Sequence, residues 1–152
     1  MCLIVDVNTF PNVFSGNDKD FAPVKDWILK SSGKMIIGGT KYREEIAKLP
    51  KYARPLAELL KANKIVKIDD EIVDQREGVI QKLSASGDFD DQHLVALADE
   101  SCCKVICSLD RRADRFIRDK KFYAKSPSVP SIYRSKSHVK LLCDKNIVAK
   151  CK

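Results

Sequence analysis

Short apolar runs and amphipathic stretches alternate along this chain. Cys2-Leu3-Ile4-Val5 is continuous, β-branched and closed by Asp6-Val7, the pattern of a strand buried on both faces over residues 2–7. Met35-Ile36-Ile37, Ile65-Val66-Lys67-Ile68 and Val105-Ile106-Cys107 repeat it, and Ile132-Tyr133 is a weaker fifth run. Between them the apolar positions fall at helical spacing. Phe10, Phe14, Phe21, Val24, Trp27 and Ile28 predict helix to about residue 31, ended by Ser31-Ser32-Gly33. Ile46 and Leu49 predict a helix from Thr40, a candidate N-cap, to Pro50, and Leu56, Leu59 and Leu60 another over 53–62.

Asp69 or Asp70 caps an acidic helix carrying Ile72, Val73, Val79, Ile80 and Leu83, and a loop around Gly87 follows. Asp90 is placed to cap the next helix, with Leu94, Val95, Leu97 and Ala98 inward. Helix is also expected from Arg111 to about Asp119, and a short one with Val139, Leu141 and Leu142 near the end. Strands alternating with helices predict an α/β fold in three layers, α/β/α, around a central parallel sheet of about five strands. The body is expected over residues 1–142, with 143–152 as a short basic C-terminal tail.

The 152 residues make one ordinary domain, with a core large enough to need no staples. The 44% hydrophobic and 32% charged residues are those of a water-soluble globular chain. No apolar run is long enough to span a bilayer and the N-terminus lacks the shape of a signal peptide, so the expected compartment is the cytoplasm. The six cysteines contain no C-x-x-C pair, and His93 and His138 are not spaced as zinc partners. Reduced, core-filling thiols are the expectation.

Charge is distributed unevenly. The net +7 combines residues 111–152, with thirteen Lys or Arg against three acids, and an acidic stretch over 69–100, with ten acids and two bases. That asymmetry predicts a surface drawing a polyanion toward an anionic pocket; the plainer reading is a solvated basic face.

Four acids stand where separate segments could bring them together. Asp6 and Asp110 follow the two most strand-like runs, Asp91 opens a helix, and Glu45 lies in the helix after the second strand. In open parallel sheets, ligands gather beyond the carboxyl ends of the strands. Four carboxylates in one small space repel and resist ionisation unless a cation neutralises them. Hard oxygen ligands suit Mg²⁺ or Mn²⁺. Each acid also has a simpler reading, as an Asx turn, a cap or a solvated helix residue, and Glu44 competes with Glu45.

Taken in order, Leu3-Ile4-Val5-Asp6-Val7-Asn8-Thr9, Thr40 through Glu45-Ile46, Asp91-Gln92-His93-Leu94-Val95-Ala96-Leu97-Ala98 and Ile106-Cys107-Ser108-Leu109-Asp110 resemble the PIN-domain ribonucleases, which include the VapC-type toxins. The likeness spans roughly residues 1–142. It implies strand order 3-2-1-4-5, one or two divalent metals held by Asp6, Glu45, Asp91 and Asp110, and endonucleolytic cleavage of RNA to 5′-phosphate and 3′-hydroxyl ends. Asn8 and Ser108 match supporting positions of that family. Asp114, one turn after Asp110, is a candidate fifth acid, while Asp88 and Asp90 compete with Asp91. Arg111, Arg112, Arg115 and Arg118 are placed to hold backbone phosphates, and Tyr133 with its basic neighbours is a candidate extension of that track. Single-stranded or looped RNA suits a narrow pocket. A stand-alone domain of this kind further implies either a toxin, with an antitoxin partner and homodimerisation, or a housekeeping or defence nuclease.

Rival readings are weaker on the residues. Asp6-Val7-Asn8-Thr9 has the outline of an aspartate-nucleophile phosphatase, but Asn8 cannot exchange a proton as that chemistry needs. A response-regulator receiver would use Asp69 with an acidic pair beside Asp6, where Val7-Asn8 stands. Ser32-Gly33-Lys34 lacks the glycine spacing of a P-loop. From another class, a catalytically silent PIN-like RNA-binding or protein-interaction module is the serious alternative.

Overall fold

The computed structural model describes residues 2–84, 87 and 89–151. Asp88, one competitor for the third acid, lies outside them. Five strands form one all-parallel sheet: β1 (Cys2–Val5), β2 (Lys34–Ile37), β3 (Ile65–Lys67), β4 (Val105–Cys107) and β5 (Ser131–Tyr133), in the order β3-β2-β1-β4-β5. Seven helices of at least one α-turn are described: α1 (Phe10–Phe14), α2 (Ala22–Lys30), α3 (Thr40–Ala47), α4 (Ala53–Lys61), α5 (Asp70–Leu83), α6 (Gln92–Ser101) and α7 (Asp114–Ile117). They flank the sheet, giving three layers.

β1 sits at the centre because it is apolar on both faces: Cys2, Leu3, Ile4 and Val5 are all fully buried. Its neighbour β4 is equally enclosed. Register pairs Ile4 with Ile106 and Val5 with Cys107, so the next residues on the two strands, Asp6 and Ser108, emerge side by side at the carboxyl edge. That adjacency is where strand order reverses, and it is where ligands collect in such sheets.

Several local expectations are corrected. The first long helix is interrupted: α1 ends at Phe14, and α2 starts only at Ala22, with Pro23 in its first turn. Thr40 is not the cap of α3. That position belongs to Gly39, whose φ of +87° suits glycine and where a Cβ would stand 2.7 Å from Val73. On α5, Val73 and Ile80 are buried, whereas Ile72, Val79 and Leu83 face outward. The N-cap position of α6 falls at Asp91 rather than Asp90, and α7 is a single turn.

Cys102, Cys103, Cys107 and Cys143 are reduced thiols, the middle two buried as expected, but one pair of cysteines departs from expectation. Cys2 and Cys151 form a disulfide, with 6.2 Å between their Cα atoms. A pairing across 149 residues leaves no local spacing to read, and only the fold brings the chain's two ends together. Residues 144–151 accordingly wind in short 3-10 turns, with Val148 and Cys151 buried.

Behind the sheet edge, Asp99 on α6 is wholly buried. It receives the backbone N–H groups of Ala124, Lys125 and Ser126 and pairs with Arg76 of α5 at 2.7 Å. Those bonds tie the long connection before β5 to the helical layer. Among the described residues, no helix is long and apolar enough to cross a membrane.

Candidate acidic site at the sheet edge

Asp6 leaves β1 and caps the 3-10 turn Val7–Thr9. Its carboxylate accepts the Asn8 backbone N–H at 3.1 Å and the Ser108 hydroxyl at 2.7 Å. Burial pushes this carboxyl up, and the two hydrogen bonds draw it part of the way back. The Ser108 hydroxyl in turn accepts the Asp110 backbone N–H at 3.1 Å, so one side chain spaces two of the acids.

Asp91 behaves differently from a cap. It occupies the N-cap position of α6, yet its side chain makes no capping bond and has no hydrogen-bond donor or ion-pair partner among the described residues. Burial raises it to about 6, with Asp6, Asp110 and Glu45 adding to the rise and His93 opposing it. Asp91 thus senses the other three acids electrostatically.

Glu45 reaches the site from α3. Burial would raise its carboxyl, but His93, Lys41 and Lys48 together bring it below its usual value. Nε2 of the buried His93 lies 3.2 Å from Glu45 Oε2. Glu44, the competing residue, is exposed. Asp110 faces Arg112 instead: the Arg112 guanidinium donates to both of its carboxylate oxygens, at 3.2 and 3.0 Å, and its backbone N–H adds a bond of 2.8 Å. That pairing holds the Asp110 carboxyl low.

Glu45, Asp91 and Asp110 line one cavity of about 240 Å³, together with Asn8, Lys41, Phe89, Asp90, Arg112 and Ala113. A groove of about 600 Å³ shares Asp90 and Arg112 with it and adds Arg111, Asp114 and Arg115. Acidic pocket and basic groove are therefore contiguous. Asp114 is on the groove side, paired with Arg134, and does not line the acidic cavity. Arg115 lies over the Phe116 ring at 4.6 Å, and Arg118 is exposed outside the groove lining.

Tyr133 corrects the expected track. It is fully buried, packs edge-on against Phe21 and donates its hydroxyl to Asp20 O, so no face is left for a base.

Lys41 and His93 escaped the sequence reading as site residues, and Arg134 entered it only as a basic neighbour of Tyr133. Lys41, on the same helix as Glu45, contacts the Asp90 carbonyl oxygen across the cavity. His93 follows Asp91 by two positions within the same sequence block, a signal that could have been read. Arg134 offers no such signal, because its role depends on β5 lying beside β4.

The four acids offer hard oxygen, the donor chemistry that suits Mg²⁺ or Mn²⁺, and the Asp91 side chain makes no capping bond. With Asp110 on Arg112 and Glu45 on His93, no three His, Cys, Asp or Glu among the described residues stand close enough to hold an ion together. No protein-family model, curated protein or solved structure matches this chain.

Proposed function

We propose that this chain is a Mg²⁺- or Mn²⁺-dependent endoribonuclease of the PIN type. The carrying observation is Asp91: a carboxylate without a hydrogen-bond donor or ion-pair partner among the described residues, raised to about 6 by burial and by Asp6, Asp110 and Glu45, in a cavity that opens onto an arginine-lined groove. An acidic cluster beside a phosphate-attracting surface favours metal-assisted phosphodiester hydrolysis over a purely structural role.

Asp6, Glu45, Asp91 and Asp110 would hold the ion or ions. The chemistry that bound Mg²⁺ or Mn²⁺ supplies is Lewis-acid polarisation of the phosphate and activation of water for attack. The chain's own residues do the rest. Ser108 keeps Asp6 and Asp110 at a fixed spacing, and His93 holds Glu45. Arg111 and Arg115 bind phosphates flanking the scissile one, with Arg112 joining them on leaving Asp110. Phe89 and Ala113 narrow the cavity, which favours an unpaired RNA strand over a duplex. By the resemblance, products carry 5′-phosphate and 3′-hydroxyl ends, and the chain acts as the toxin of a toxin–antitoxin pair, with an antitoxin and a second copy as partners.

A catalytically silent module is favoured by one observation, the pairing of Asp110 with Arg112 and of Glu45 with His93. Mn²⁺ titration separates the two readings. The nuclease gains thermal stability with Mn²⁺ and cuts single-stranded RNA, and Asp6→Asn loses both effects. Cleavage by Asp6→Asn at the wild-type rate, or no Mn²⁺ effect on the wild type, overturns the proposal. The toxin role is tested by growth: expressing the intact chain arrests cells, and expressing Asp6→Asn does not.

A further inference from the structure

We infer that Arg134 is a positioning residue that sets the place of Asp110, with Asp114 as its anchor rather than as a fifth metal ligand; this rests on the nuclease reading above. Arg134 follows β5 and is mostly buried. Its planar fork engages three partners at once. Nη1 donates to Asp114 Oδ2 at 2.9 Å and Nη2 to Asp114 Oδ1, a two-point pairing with the carboxylate. Nε donates to the Ser108 carbonyl oxygen at 3.2 Å and Nη2 reaches the Asp110 carbonyl oxygen at 3.4 Å.

The backbone geometry explains why such a clamp is needed. Between the end of β4 at Cys107 and the start of α7 at Asp114, the chain runs through a connection with no regular structure. Asp110 sits in the middle of it, its backbone N–H held by Ser108 Oγ and its carboxylate by Arg112. Arg134 supplies a further hold. It grips the carbonyls of Ser108 and Asp110 and fastens the first turn of α7 through Asp114. The clamp is in turn fixed by the sheet, since Cys107 pairs with Tyr133 and the Ser108 N–H donates to Tyr133 O. The rim of β5 thereby controls an acid on the connection that follows β4, and through Ser108 it also bears on Asp6. Asp114 is held low by Arg134 and faces the basic groove, so its charge is already committed.

The test is calorimetric titration of MnCl₂ alone, at a temperature where every variant is folded, with RNA cleavage kinetics alongside. Arg134→Ala is expected to weaken Mn²⁺ binding on the order of tenfold or more, the usual effect of removing a group that orients a metal ligand. It lowers kcat with KM for RNA unchanged, because Arg134 acts through Asp110 and not on substrate. Arg134→Lys keeps the charge but cannot meet three acceptors, and does not restore affinity. Asp114→Asn weakens binding less than Arg134→Ala. Leu59→Ala, a core truncation on α4, lowers the melting temperature and leaves Mn²⁺ affinity intact.

Wild-type affinity in Arg134→Ala, or full recovery in Arg134→Lys, overturns the positioning role. A larger loss in Asp114→Asn than in Arg134→Ala overturns it too, by making Asp114 a ligand. A wild type that binds no Mn²⁺ overturns the nuclease reading itself, and this inference with it.

Discussion

The Ser108 hydroxyl donates to Asp6 Oδ2 at 2.7 Å, joining side chains 102 residues apart in the chain. Both groups are almost wholly shielded from water, so the bond offsets part of the cost of burying a carboxylate. Ser108→Ala leaves that oxygen without its donor and should cost about 1 to 3 kcal/mol, read as a shift in the denaturant midpoint at constant slope. An unchanged midpoint would mean that Asp6 finds another donor.

Asp91 gives the metal-free protein a pH dependence of definite sign. Its carboxyl is raised from an ordinary 3.8 to about 6, so between those values the folded state binds more protons than the unfolded one. Its stabilising contribution is full below about 3.8 and is lost as pH rises through about 6. In a chelator, Asp91→Asn should therefore melt higher than wild type at pH 7.5, with the gain shrinking toward pH 4. Melting curves across that range decide it, and a lower melting temperature at pH 7.5 would identify Asp91 as a structural cap.

Arg112 sits on Asp110, one of the acids proposed to hold the ion. The guanidinium is largely exposed and its hold is correspondingly weak. Arg112→Ala should raise Mn²⁺ affinity severalfold while weakening RNA binding and reducing its salt dependence. Calorimetry with the metal alone and filter binding at two salt concentrations separate the two effects.

Glu45 and Glu44 are adjacent in sequence but opposite in setting. Glu45 lines the cavity and meets His93, whereas Glu44 is exposed. Glu45→Gln should abolish Mn²⁺-dependent cleavage, and Glu44→Gln should leave it unaltered. Equal losses in both would show that the helix, not one carboxylate, was disturbed.

Asp99 is a structural counterpart to these acids. Three backbone N–H groups and Arg76 converge on it. Asp99→Ala strands the Arg76 charge and releases residues 124–126, for an expected loss of about 3 to 5 kcal/mol in thermal or chemical unfolding. A loss below 1 kcal/mol would mean that water replaces the carboxylate.

The sequence by itself determined the α/β alternation, because apolar runs such as Leu3-Ile4-Val5 and Val105-Ile106-Cys107 have one comfortable place, a strand covered on both faces. It also placed Asp6, Asp91 and Asp110 next to element ends, since those positions follow from the same periodicity. Helix limits were less legible: the break between Phe14 and Ala22, and the outward turn of Ile72, Val79 and Leu83, depend on what each face meets. Only the tertiary structure decided which charges pair. Arg134 with Asp114, His93 with Glu45, Ser108 with Asp6 and Cys2 with Cys151 are contacts between distant segments. Periodicity encodes which side of an element is apolar, a local property. Pairing depends on how neighbouring strands register and cross over, and that emerges only when the whole chain closes around its core.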